Sequence, residues 1–145
     1  MKKLYLLYQG VVERLKDWPP LVFRLILAYG FFEPALKKWS NMEAIAQWFA
    51  GMHYPLPTLN AYLAATTEIS GSILLLLGLG TRLISLPLMF VMLVAIFTVH
   101  IGNGFAAGSN GFEIPLYYLA MLFSLVVTGS GKFSVDYLIG KKVKS

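Results

Sequence analysis

Apolar residues run through the chain in four long blocks, Leu21 to Trp39, Leu59 to Gly80, Leu83 to Ile101 and Phe112 to Thr128, separated by short polar or glycine-bearing stretches. Each block is about as long as the roughly 17 to 25 residues that a bilayer-crossing helix needs, so the pattern predicts four spans. Pro19 and Pro20 open the first, where a helix has no partner for the missing amide, and Trp18 and Trp39 sit where interfacial aromatic belts belong. Only Leu79-Gly80-Thr81-Arg82 separates the second and third blocks, which forces the chain to reverse into an antiparallel helix pair.

Weaker periodicities fill the gaps. Leu4, Leu7, Val11, Leu15 and Trp18 recur at helical spacing while Gln9, Glu13 and Lys16 turn away, which describes an amphipathic helix on the inner membrane surface. Ser40-Asn41-Met42-Glu43 reads as a capping box leading into Ile45, Trp48, Phe49 and Met52, a short helix on the outer surface. Gly129 to Tyr137 reads as a glycine turn into a brief helix with a basic tail. No internal repeat or long linker interrupts the pattern, and residues 1–145 form a single domain.

Composition supports the membrane reading. The chain is 57% hydrophobic and 13% charged, against about half and about a quarter in ordinary soluble domains. A multidomain soluble enzyme is excluded on this ground and on the length of 145 residues. Cysteine is absent, so the chain has no disulfide, thiolate metal site, iron–sulfur cluster or covalently attached haem, and redox chemistry of its own would need a bound cofactor. With both termini inside, all Lys and Arg except Lys37 and Lys38 fall on the inner side or near it, as the positive-inside rule requires. These cations flank apolar runs and form no stripe interleaved with aromatics, which argues against nucleic acid. No small-residue cleavage site precedes the first span, so the mature protein is expected to keep its N-terminus.

Ionisable residues inside spans are the informative ones, because a charge at the bilayer centre costs at least about 2.5 to 3.5 kcal/mol. Arg24, Glu33, Glu68, His100 and Glu113 qualify. Glu68 lies some way into the second span, roughly 13 Å below the surface at about 1.5 Å per residue, near the middle of a core about 30 Å thick. It is expected to face the bundle interior, and Glu33, Glu68, His100 and Glu113 are expected to converge on an outward-facing cleft. Such groups suit proton handling or ligand holding. Structural readings stand beside this one: Glu33 and Lys37 are spaced to pair along one helix, Arg24 can snorkel to the inner headgroups, and Glu113 suits a helix N-terminus. His53 and His100, with Met89 and Met92 on one face of the third span, are weak metal candidates, because methionines at this spacing usually pack. Ser70-Gly71-Ser72 and Gly78 with Gly80 offer small residues for close helix approach.

Arg24 with the Gly30 region, Glu68-Ile69-Ser70-Gly71, Leu75 to Arg82, and Met92 to Ile96 leading to His100 together resemble the DoxX family, over almost the whole chain. The closing run Gly129 to Asp136 also resembles the family's final motif, with Val135 in place of its usual leucine. The resemblance implies a four-helix integral protein of the bacterial inner membrane, a small subunit or companion of redox systems that include quinone-linked thiosulfate oxidation. Longer runs, Tyr29 to Ala35, Tyr54 to Tyr62 and Asn110 to Tyr118, resemble the HvfX-like branch, whose members are associated with the maturation or handling of ribosomally made copper-binding peptides. Carried over residue by residue, Glu33, Glu68, His100 and Glu113 are the primary site candidates, with Arg24, Lys37 and Tyr62 secondary.

The expectation is therefore an all-α, four-helix membrane bundle with short interfacial helices and cytoplasmic termini. It acts with partner proteins in a redox or copper-stress pathway, in the maturation or handling of a copper-binding peptide. Two rivals differ in class: a quinone-binding subunit of an oxidoreductase, and a membrane anchor for a soluble enzyme. The expected partners are membrane lipids, maturation or oxidoreductase proteins, a copper-binding peptide and a second copy of the chain. A membrane component fits this reading better than a stand-alone enzyme.

Overall fold

The computed structural model describes residues 1–143, so Lys144 of the basic tail lies outside it. Among the described residues the fold is all-helical, with no strand. An exposed helix α1 (Lys2–Leu15) leads into α2 (Trp18–Ser40), followed by the short α3 (Met42–Gly51), then α4 (Pro57–Leu77), α5 (Thr81–Ala95), α6 (Glu113–Thr128) and α7 (Val135–Val143). α2 packs on α4, α4 on α5, α5 on α6 and α6 back on α2, which closes a ring of four helices.

Two stretches are long and apolar enough to cross a membrane, Pro57–Leu77 of 21 residues and Thr81–Asn103 of 23, and α6 is a shorter apolar helix. Large apolar side chains such as Leu83, Phe97, Phe123 and Val127 are exposed on the outside of the ring. An apolar surface of this kind suits contact with a membrane or with another protein.

The ring is built on heptad-like stripes. On α2 the residues Arg24, Ala28, Phe31 and Ala35 are buried, and on α4 Ala61, Ala65, Glu68, Ser72 and Leu75. Small residues bring the helices close: the Ser72 hydroxyl donates to the Ala28 carbonyl at 2.6 Å, and a Cβ on Gly71 would come within 2.7 Å of Leu88. Leu27, Phe31, Leu75, Leu88, Leu122 and Leu125 fill the centre.

The end where the termini lie, here called proximal, is tied together by the C-terminal run. Arg24 does not snorkel: it is 1% exposed, because the carbonyls it satisfies lie inside the fold. Its guanidinium donates to Leu75 O at 2.8 Å, Leu76 O at 3.2 Å, Ser130 O at 2.8 Å and Phe133 O at 2.9 Å. It thereby joins the Gly78 amide at the Leu75 carbonyl, satisfies that of Leu76, and fixes the 129–133 loop to the C-terminus of α4. Asp136 completes the junction by accepting from the Gly80 and Thr81 amides at 2.7 and 3.1 Å, which caps the start of α5.

Element boundaries differ from the sequence expectation in two instructive places. The cap of α3 is Asn41, whose side chain accepts from Ala44 N at 3.3 Å, while the Ser40 hydroxyl turns back to Lys37 O, so the capping box does not form. The third block is not one continuous α-helix: after Ala95 it widens into a π turn over Ile96–His100 and then tightens into a 3₁₀ turn over Ile101–Asn103. Single π turns inside helices are rare and often mark functional positions.

Candidate functional site

The distal end of the ring, opposite the termini, contains a cavity of about 940 Å³. Its walls come from α2, α4, α5 and α6. Trp48 and Phe49 of α3 close over it together with Ala107, Asn110 and Gly111 of the 104–112 loop. α3 reaches this position because Ala46 and Phe49 bury against Ala61 of α4. Contacts that hold the loop include His100 Nδ1 with Asn110 O at 2.8 Å, Glu113 Oε2 accepting from Ala107 N at 2.9 Å, and Phe112 N donating to Gly104 O at 3.1 Å.

Most of the lining is apolar or aromatic, including Phe31, Phe90, Met92 and Tyr118, with a few polar groups among them. Tyr118 comes from α6 and lies edge-on to Phe31, ring centroids 5.4 Å apart, with its hydroxyl against the bare face of Gly30. A Cβ at Gly30 would sit 1.9 Å from that oxygen, so only glycine admits the ring there. Tyr54, hydrogen-bonded through its hydroxyl to Thr98 in the π turn, joins the α3–α4 connection to α5.

The principal charged feature of the wall is an ion pair. Lys38 Nζ of α2 meets Glu68 Oε2 of α4 at 2.6 Å, with side-chain exposures of 17% and 5%. α2 and α4 run antiparallel, with Ala28 level with Ser72 and Trp39 level with Tyr62, so the Lys38 chain must run inward along α2 to reach the deeper carboxylate. Taking two such charges out of water costs several kcal/mol each, and each is tolerable because the other is there. The pair faces a mostly apolar space, and it has both an acceptor and a donor to offer a bound molecule.

Of the four residues expected to converge, the fold brings two to the cavity, Glu68 and His100. Glu33 points away: its side chain is 60% exposed and it pairs with Lys37 at 2.6 Å along the same helix. Glu113 holds the loop and accepts from the Tyr117 hydroxyl at 3.2 Å, outside the cavity lining. Arg24 belongs to the proximal junction, and Tyr62 packs edge-on against Trp39 with centroids 5.7 Å apart. The residue that sequence reasoning missed is Lys38, read there only as an outer charge. A signal for it existed: it continues the Arg24, Ala28, Phe31, Ala35 stripe by one more heptad-like step.

No three His, Cys, Asp or Glu side chains among the described residues come together, His53 lies exposed on a connecting turn, and Met89 and Met92 pack against the central apolar cluster.

Comparison with known proteins adds a family. The DoxX family model matches residues 20–101. An uncharacterized protein of Haemophilus influenzae is 34% identical over 129 residues, covering 83% of each chain. A Bacillus subtilis protein named "Putative oxidoreductase CatD" is 32% identical over 127 residues, covering 86% of this chain and 90% of its own. No solved structure matches the chain. With a family match over more than half its length and a relative similar over most of both chains, the chain belongs to the DoxX family.

Proposed function

We propose that the protein crosses the bacterial inner membrane four times with both termini in the cytoplasm, and that its distal cavity holds the head group of a quinone-class carrier for a partner oxidoreductase. The observation that carries this reading is the Lys38–Glu68 pair on the wall of an apolar cavity of about 940 Å³. Ligand sites of this size are mostly apolar, with a few polar groups that fix orientation. The residues suit such a head group: Lys38 donates to a carbonyl oxygen, Glu68 accepts from a hydroxyl, and Phe31 and Tyr118 flank the space with ring edges and faces. When bound, such a carrier supplies transfer of two electrons and two protons; the chain's own part is to orient it between the Lys38 ammonium as donor and the Glu68 carboxylate as acceptor. The relative named as an oxidoreductase supports a redox setting.

The four-span arrangement draws support from the ring of α2, α4, α5 and α6, and the orientation from the cations gathered at the proximal end. A second reading makes the same cavity the receiving face for a copper-binding peptide. Its roof, made of α3 and a loop instead of a full-length helix, favours entry of a chain from that side. The peptide would bring the copper ligands.

The test is purification in mild detergent, organic extraction and mass spectrometry for quinones, followed by titration with a short-chain ubiquinone analogue. Near-stoichiometric quinone is expected. Glu68→Gln and Lys38→Met should each weaken analogue binding about tenfold, the scale of one lost charge-assisted hydrogen bond, while Glu33→Gln leaves it unchanged. A preparation that carries no quinone and binds no analogue overturns the proposal. Recovery of a copper-loaded peptide instead puts the peptide-handling reading in its place.

A further inference from the structure

A second cleft, of about 910 Å³, opens at the proximal end between the start of α5, the 128–132 loop and α7. Its lining includes the carboxylates of Asp17 and Asp136 and the cations of Arg82, Lys132 and Lys141. The acids are already occupied. Asp17 accepts from Lys132 at 2.9 Å, and the two Asp136 oxygens take the Gly80 and Thr81 amides.

Two cations are left over. Arg82 gives one of its donors to Val127 O at 3.2 Å and lies across Gly129, where a Cβ would come within 3.2 Å of its Nε. A guanidinium has five N–H donors, so most of its fork faces the cleft unused. Lys141, in the last turn of α7, makes no hydrogen bond or ion pair through its ammonium with any other described residue. The cleft is therefore electropositive, and the match to a planar fork and a mobile ammonium is a phosphate oxygen set.

The surroundings choose the source of that phosphate. Leu83 lines the cleft at 75% exposure, and Leu86, Phe133 and Leu138 are exposed nearby at the same end of the ring. A free phosphate has no use for apolar neighbours, whereas a phospholipid carries its acyl chains directly below its phosphate. Basic pockets at the cytoplasmic ends of membrane helices suit anionic headgroups. We infer that this cleft binds one anionic phospholipid of the inner leaflet, Arg82 and Lys141 holding its phosphate and Leu83 and Leu86 lying along its chains. The inference is independent of the distal cavity and of whatever that cavity holds.

Native mass spectrometry of the full chain, with phosphatidylglycerol or phosphatidylcholine added in detergent, tests it. One phosphatidylglycerol should be retained per chain in preference to phosphatidylcholine. Arg82→Gln with Lys141→Gln should reduce that retention about tenfold or more. Because Arg82 also holds Val127, Lys141→Glu alone is the safer variant, at an exposed surface position, and it should lower retention several-fold with an unchanged melting temperature. Equal retention of phosphatidylcholine, or undiminished retention by Lys141→Glu, overturns the site. Displacement of the lipid by millimolar inorganic phosphate overturns the lipid as its ligand and leaves a free-anion site.

Discussion

Arg24 and Lys38 stand at opposite ends of one stripe of α2, and each reaches across to α4 for a different kind of partner. Arg24 takes backbone carbonyls, Leu75 and Leu76 among them, whereas Lys38 takes the Glu68 carboxylate. The first cation has no counter-ion in direct contact and serves the architecture of the proximal end. The second is paired, and borders open space. Loss of Arg24 should therefore read out in stability alone, and loss of Lys38 in both stability and ligand handling.

Arg24→Met should destabilise the protein by at least about 3 kcal/mol, because four buried or half-buried carbonyls lose a charged donor together. Gly78 gives a milder version of the same test. Its φ is +67°, and a Cβ there would sit 2.6 Å from the guanidinium carbon of Arg24 and from Ser134. Gly78→Ala should thus lose about 1 kcal/mol or more to the left-handed conformation and a further 1 to 3 kcal/mol, roughly, to the collision. Gly80 has φ +58° with nothing within 4 Å, so Gly80→Ala should show the conformational loss alone. Thermal melts in detergent separate the two, and equal losses would show that the Arg24 contact is not what constrains Gly78.

The Lys38–Glu68 pair predicts a non-additive double-mutant cycle. Removing one member of a buried pair is destabilising by about 3 to 5 kcal/mol, since the survivor is left without compensation, while replacing both with apolar or neutral groups of similar size is far less damaging. Lys38→Met should accordingly lower the melting temperature more than Lys38→Met combined with Glu68→Gln. Simple additivity would mean that the two side chains do not meet in solution.

Asp136 caps α5 from a distance of more than fifty residues in sequence, through two amides at once. Asp136→Ala should cost about 1 to 2 kcal/mol, at the upper end of the range for a lost N-cap. Asp136→Asn, which keeps only one accepting oxygen, should fall between. Hydrogen exchange gives the location: amides at the start of α5 should lose protection in Asp136→Ala while those at the centre of α4 keep theirs, and uniform loss would point to global destabilisation instead.

The helical layout was legible because apolar block length and proline or glycine punctuation are local signals. α6 appears at Glu113–Thr128 against an expected 112–128, and α7 follows the glycine turn as its pattern indicates. The proximal junction was not legible, because Arg24 and Asp136 act on backbone groups far away, and backbone acceptors leave no trace in residue identity. At the distal site the depth argument picked out Glu68, yet its partner went unnoticed. Lys38 sits beside Lys37, which does face outward; treating the two as one basic cluster hid that a single helical step of about 100° separates a solvent-facing lysine from a half-buried one. The π turn at Ile96–His100 escaped for a different reason: it is a change in hydrogen-bond register inside an unbroken apolar run.

The Asp17–Lys132 pair, outside the spans, gives the proximal junction a defined pH window. Lys132 hydrogen-bonds Asp17 and holds its carboxyl below the ordinary value of 3.8, while Asp17 raises the Lys132 ammonium above 10.5. For the acid, the lowered folded value means that its contribution is present above 3.8 and fades as pH falls through the lower, folded value. For the base, the raised folded value means that its contribution is present below 10.5 and fades as pH rises through the higher one. Trp18 reports the event, since its ring lies 5.5 Å from Phe133, next to Lys132. In a protein with Trp39 and Trp48 changed to Phe, Trp18 emission should be flat between about pH 5 and pH 9 and should shift only in strong acid or strong base. Asp17→Asn removes the charge that sets both limits, so its emission should lose both limbs; persistence of the acid limb would assign it to another carboxylate and detach Asp17 from the loop it is seen to hold.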